Sequence, residues 1–398
     1  MITLLDKPEI KAEPLGQEAW YEIDDVQDLN IAESIFAEKE EKLDKFSRRW
    51  GGYWRYPQLL DFCYLVNPFY PNQKLIDEMK ANFERLLCEY PSGMEVNSLL
   101  AAKYYGLHKE QVCVGNGAAE LIKELMESGQ GKTGMIYPTF EEYPNRKEQN
   151  EIVPFFASRP AFRYTAEELM TFYEDKDIKN LVLINPDNPS GNYIEKQDVL
   201  KMADWAQKKG IQFIVDESFV DFADTNESAS LLDEEIIKNY PGMVVVKSIS
   251  KSFGVPGLRL GILASGDEEL ITFLKKRMSI WNINSFGEFY MQIFEKYKSN
   301  YEEALEKFKE VRREYVNALS ACPFLEVLPS QANYVMCRLI GNKTSRELAE
   351  VLLNKYNILI KDLSRKKGFE GESYIRLAVK RPEENQKLID AMRAEFGV

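Results

Sequence analysis

The sequence predicts an α/β fold in which a large unit, built on a mostly parallel sheet with helices on both faces, is followed by a smaller α+β unit. Three observations point there. Between Gln111 and Ala264, short and continuously apolar runs alternate with amphipathic stretches, the pattern of strands buried on both faces. Those runs end in clusters of Gly, Asn, Pro and Ser, which punctuate strand-to-helix connections. After Trp281 the alternation gives way to a long amphipathic stretch and a second group of strands.

Taken in order, Met1 to Asn30 mixes acids and bases without an apolar core, so no signal peptide is expected. Glu33 to Lys45 is polar and helix-prone, and Arg48 to Pro57 reads as loop. Strands are predicted at Gln111–Gly115, Gly134–Tyr137, Asn180–Ile184, Gln212–Val215, Met243–Val246 and Leu260–Ala264, with helices such as Ala118–Ser128 and Lys196–Lys209 between them. Glu288 to Leu319 reads as one long helix. Strands at Leu325–Leu328 and Tyr334–Leu339, a helix at Thr344–Lys355, strands at Ile358–Lys361 and Tyr374–Leu377 and a last helix from Pro382 complete the chain. The expected division is an arm and helix over 1–65, a large domain over 66–290 and a small domain over 291–398.

The bulk numbers narrow the function. A chain of 398 residues, 44% hydrophobic, can bury a large core. A net charge of −13 argues against general nucleic-acid binding, though a local pocket can still take an anion. No stretch is apolar for long enough to span a bilayer. The cysteines Cys63, Cys88, Cys113, Cys322 and Cys337 are scattered without metal-like spacing, which suits reduced thiols in the cytoplasm and no metal site. A single histidine, His108, sits in a helix-end and loop pattern, so proton transfer is expected to run through another group, lysine above all.

Four segments carry chemistry. Ser248-Ile249-Ser250-Lys251-Ser252-Phe253-Gly254 brings a lysine off the end of an apolar strand into a bend rich in hydroxyls, with Arg259 close behind. That suits a lysine holding a phosphorylated aldehyde as a Schiff base, with Ser248, Ser250 and Arg259 on the phosphate. In Val112–Leu121 a strand ends in Gly115-Asn116-Gly117 and a helix begins at once, which is either an anion cradle or an ordinary tight connection. Asn185-Pro186-Asp187-Asn188-Pro189-Ser190-Gly191 fixes a rigid loop after a buried strand, where ligands of parallel sheets sit. Asp216 ends another apolar strand, and a charged carboxylate there needs a partner such as a protonated pyridine nitrogen.

Together these segments resemble the fold type I pyridoxal-phosphate enzymes of the class I/II aminotransferase family, from about Leu60 onward. Leu60-Asp61-Phe62, Asn67-Pro68, Tyr90-Pro91, Asp216-Glu217-Ser218-Phe219 and Ile375-Arg376-Leu377 are most similar to the branch holding histidinol-phosphate aminotransferase and threonine-phosphate decarboxylase. The resemblance implies a seven-stranded, mostly parallel sheet and the cofactor pyridoxal 5'-phosphate. It implies that Lys251 carries the cofactor and moves the proton, Asp216 meets the pyridine nitrogen and Asn188 the ring oxygen. Gly117, Ala118, Ser248 and Arg259 would cradle the phosphate, with Ala119 and Ser250 close by, and Phe140 would stack on the ring. Arg376 would clamp the substrate carboxylate. Tyr90 would reach the neighbouring site of a homodimer. Phe219 stands where many relatives have a hydrogen-bonding tyrosine, and Arg49-Trp50-Gly51-Gly52 where the decarboxylase has His-Gly-Gly, with Arg48 and Arg49 as possible replacements. The first expectation is an aminotransferase exchanging an amino group between a small amino acid, phosphorylated or not, and a 2-oxo acid. The alternative is a decarboxylase of a phosphorylated amino acid.

Overall fold

The computed structural model describes residues 21–225 and 228–398, which fall into two compact units that meet between Gln58 and Leu59 in the chain. In the first unit, Asp25 caps the helix Val26–Ile35 by accepting from the backbone N–H groups of Gln27 and Asp28, and the helix Lys39–Arg48 follows. Arg49 donates to Asn30 Oδ1 at 2.5 Å and lies over the Tyr56 ring, and its Nε is buried without a partner. With Lys45, Arg48 and Arg55 it lines a basic cavity of this unit.

The second unit begins with β1 (Leu60–Asp61) and continues through β2 (Val112–Asn116), β3 (Thr133–Tyr137), β4 (Ile152–Phe156), β5 (Asn180–Ile184), β6 (Gln212–Asp216), β7 (Met243–Ser248) and β8 (Leu260–Ser265). Strands β2 to β8 make a seven-stranded sheet in the order β2-β8-β7-β6-β5-β3-β4, with β8 antiparallel to both its neighbours and the other pairs parallel. Alternate residues of one strand fall in different cores. Val112, Leu181, Phe213 and Val245 join the cluster that includes Val199 and Met202 of the helix Lys196–Lys209, while Cys113, Val182, Ile214 and Val246 join that of Leu121 and Leu125 of the helix Ala118–Ser128. The strands are therefore apolar on both faces, which is why they read as continuous runs.

A second sheet follows from β9 (Leu325–Val327), β10 (Tyr334–Leu339), β12 (Lys361–Asp362) and β13 (Tyr374–Ala378), antiparallel in the order β12-β13-β10-β9; the short β11 (Ile358–Leu359) pairs instead with β1. Arg376 lies mid-sheet, in register with Met336 on one side and Lys361 on the other.

Three readings of the sequence need correction. The single strand expected at Ile358–Lys361 is two, β11 and β12, because the chain leaves β1 and joins the second sheet at β13. The stretch 288–319 is not one helix: Ser285–Ile293 and Lys298–Ser320 are separated by a 3-10 turn at Phe294–Tyr297. Unbroken amphipathic composition hid the joint, because Phe294 and Tyr297 stay buried through it. β4 was not foreseen, since Pro154 interrupts its apolar run; it is an edge strand, where a missing N–H costs no ladder bond.

The sheet also sets a tight contact. A Cβ on Gly261 would lie 2.3 Å from the backbone nitrogen of Ala118. Gly261→Ala is expected to destabilise the protein by about 1–3 kcal/mol, as overpacking against backbone does, read as a lower urea midpoint with an unchanged slope.

Candidate active site

The strand order gathers the predicted residues at one edge of the large sheet. Parallel β5, β6 and β7 end there, and β8, running the other way, begins there. Asp216 is the last residue of β6, and Lys251 sits in the short helix Ile249–Ser252 directly after β7. Asn188 follows β5, and Arg259 precedes β8.

Of the residues predicted to cradle the phosphate, Gly117 and Arg259 meet. Gly117 has φ +76°, and a Cβ on it would lie 2.5 Å from Arg259 Nη2, so the guanidinium rests against the turn that opens the helix Ala118–Ser128. Gly117 N–H donates to the Arg259 carbonyl at 2.7 Å, and Arg259 itself takes a left-handed φ of 56°. Ala118 and Ala119 supply first-turn N–H groups. Ser248 N–H donates to Ser218 Oγ at 3.0 Å, and Ser250 Oγ is buried with no protein partner. A cationic fork resting on a helix N-terminus can seat a phosphoryl group, and the orphaned Ser250 hydroxyl is a further candidate donor.

Asp216 is buried, accepting from Tyr143 Oη at 3.0 Å and from Ser218 N–H at 2.9 Å. Burial raises its pKa, against the pull of Ser218, Tyr143 and Lys251. For Lys251, burial and then the nearby Arg376 and Arg259 lower the pKa to about 8, with Asp216 opposing. The lysine thus shares one electrostatic environment with all three partners assigned around it.

Arg376 donates from Nη1 to Asn188 Oδ1 at 2.7 Å and from Nη2 to the Cys63 carbonyl at 2.9 Å, and its guanidinium lies over the Tyr334 ring. Its Nε is buried without a partner. The expected pairing of Asn188 is therefore joined by another: its carbonyl oxygen serves Arg376, leaving the amide nitrogen as the donor. Phe219 is buried edge-on to Tyr334, with ring centroids 5.2 Å apart.

Two predicted residues are exposed rather than buried. Phe140 is 39% exposed, and Tyr90 is 79% exposed against Trp281. His108 is exposed, 3.1 Å from Glu234.

The sequence reading missed Tyr143 and Tyr334. Tyr143 shares a loop with Phe140 but bonds a residue 73 positions away, and Tyr334 looked like an ordinary strand residue. It also missed a buried ion cluster. Lys247 Nζ lies 2.7 Å from Asp221 Oδ1 and 3.7 Å from Glu217 Oε1, and the two neighbouring hydroxyls of Ser252 and Ser230 donate to these carboxylates.

Comparison with known proteins follows the same lines. Residues 78–392 match the family described as aminotransferase class I and II. L-serine phosphate decarboxylase of Sulfurospirillum multivorans is 31% identical over 360 residues, 84% of this chain and 88% of that protein. CMP-5'-(3-aminopropyl)phosphonate synthase of Streptomyces rubellomurinus is 30% identical over 379 residues, 95% of this chain; the chain spans 59% of that protein's length. The solved histidinol-phosphate aminotransferase of Clostridium acetobutylicum superposes with a TM-score of 0.76 at 26% identity, covering 85% of this chain and 99% of that one.

The lowered pKa of Lys251 sets an expectation for the cofactor-free protein. The neutral amine is the nucleophile, so the rate of covalent attachment to pyridoxal phosphate should rise with pH and level off above about 8. An ordinary lysine would keep gaining up to about 10.4. Stopped-flow absorbance across that range reads the difference.

Proposed function

The chain belongs to the class I and II aminotransferase family, whose members use pyridoxal 5'-phosphate, and on that premise we propose that it removes the α-carboxylate of an amino acid bearing a phosphoryl or phosphonyl group. When bound, the cofactor supplies an electron sink for the bond at the α-carbon that stands perpendicular to its ring. In this reading Lys251 holds the cofactor and Asp216 faces its pyridine nitrogen, kept in place by Tyr143 and Ser218. Arg259, Ser250, Ser248 and the N–H groups of Ala118 and Ala119 take its phosphate at the turn that Gly117 opens, and Asn188 the ring oxygen. Phe140, on the loop that carries Tyr143, covers the ring.

Arg376 receives the substrate carboxylate. Its fork is held rigid by Asn188 and by the Cys63 carbonyl, so the orientation of the carboxylate is set by fixed groups. The observation that carries the proposal is this anchored arginine beside Lys251 and Arg259, a cationic pocket suited to a substrate that carries a second oxyanion besides its carboxylate. In decarboxylation the C–C bond breaks, carbon dioxide leaves, and Lys251 returns a proton to the α-carbon. The name of the Sulfurospirillum relative supports this choice, and Phe219 supports it by bringing no hydroxyl to the ring oxygen. The aminophosphonate in the name of the Streptomyces relative supports a substrate carrying a phosphorus oxyanion.

Transamination is the second reading, favoured by the family description and by the histidinol-phosphate aminotransferase structure. There the α-proton stands perpendicular instead, and Lys251 removes it. The division into domains 66–290 and 291–398, a homodimer in which Tyr90 reaches the partner's site, and a cytoplasmic location for a chain whose five cysteines are all free belong to the same proposal. Among the described residues no helix is long and apolar enough to cross a membrane. The exposed Tyr90, Leu87 and Ile280 support the dimer.

Carbon dioxide release from phosphoserine, phosphothreonine and their phosphonate analogues tests the choice. The holoenzyme should release it from at least one of them and should not convert to the pyridoxamine form with glutamate. The opposite pattern would replace decarboxylation by transamination. Arg376→Lys, which keeps the charge but loses the fork, should cost about 2–4 kcal/mol in kcat/KM, read as a loss of 30- to 1,000-fold. Sedimentation equilibrium should give twice the chain mass.

A further inference from the structure

Lys247 is an unexpected residue. It lies in a fully buried strand, four positions before Lys251, with its side chain 2% exposed. A buried ammonium persists only when paired, and its partners join two segments of the site. Asp221, on the 3-10 turn Val220–Phe222, accepts from Lys247 at 2.7 Å through Oδ1 and from Ser252 Oγ at 2.6 Å through Oδ2. Ser252 is the residue after Lys251. Glu217, the residue after Asp216, faces the same ammonium at 3.7 Å and is tied by Ser230 Oγ at 2.5 Å and Leu231 N–H at 2.8 Å. On its other side the lysine turn is held by Asn67, whose N–H donates to the Lys251 carbonyl at 2.9 Å and whose amide donates to the Ser252 carbonyl at 3.0 Å.

We propose that Lys247, Asp221, Glu217 and Ser252 form a positioning clamp that fixes the separation and mutual orientation of the Lys251 amine and the Asp216 carboxylate. The clamp touches neither substrate nor cofactor. It grips the residue that follows each functional group, so that the loop after β6 and the turn after β7 move as one body. Charge keeps the grip closed. Lys247 is held protonated by two carboxylates, and any slippage of either segment would leave one of these buried charges without its partner. The inference rests on the roles given above to Lys251 and Asp216.

Ser252→Ala is the informative variant, because it cuts the tie between the clamp and the lysine turn while leaving the ion pairs of Lys247 intact. The holoenzyme's visible cofactor band is optically active only through its asymmetric surroundings, so circular dichroism in that band reports orientation without reference to turnover. The expected result is an ellipticity reduced by half or more, with kcat down about tenfold and KM little changed. An unchanged band ellipticity and kcat, with only a lower denaturation midpoint, would overturn the inference and leave the cluster a purely structural one. Should Ser252→Ala not fold, Ser252→Cys keeps the volume with a weaker donor and is read by the same ellipticity and kcat. Failure of the underlying assignment looks different: Lys251→Ala would then retain the visible band, whatever the Ser252 variants do.

Discussion

The direction of strands in one sheet is the constraint on which the site depends. A parallel sheet brings the carboxyl ends of its strands to one edge, and the antiparallel β8 brings its amino end to the same edge. Residues separated by long stretches of chain thereby become neighbours. Asp216, Lys251, Asn188 and Arg259 are delivered by backbone hydrogen bonding, and their side chains need only short reaches to meet a common ligand. The small sheet adds Arg376 from the middle of β13, and the segment beginning at β1 receives one arm of its guanidinium at Cys63.

The electrostatics follow from that crowding. Lys251 and Arg376 lie where burial disfavours charge, with Arg259 close by, and burial lowers the pKa of both, that of Lys251 to about 8. Asp216 carries the compensating carboxylate, itself made costly by burial and stabilised by Tyr143 and Ser218. An anionic cofactor and an anionic substrate relieve this imbalance, so the pocket favours negative ligands although the chain as a whole has a net charge of −13.

Much of this was legible in the sequence, and the reason is periodicity. Runs such as Leu181 to Ile184 and Val244 to Val246 are apolar on both faces, and the punctuation after them marks the sheet edge where the candidate site residues gather. Lys251, Asp216 and Arg259 were readable because polar residues of definite chemistry sit at such ends. What was not legible depends on tertiary partners. Tyr143 resembles any loop tyrosine until its hydroxyl is seen on Asp216. Lys247 resembles an error in an apolar strand until Asp221 and Glu217 are placed around it. Pro154 hid an edge strand because only the sheet order shows that its N–H is not needed.

The proposed chemistry turns on a single bond between the cofactor aldehyde and the amine of Lys251. Borohydride reduction of the loaded protein, followed by peptide mapping of the fixed label, measures it directly. Recovery of the label on the peptide containing Lys251, at one per chain, is the predicted result. Label on another amine, or none from fully loaded protein, would contradict the account from the cofactor outward.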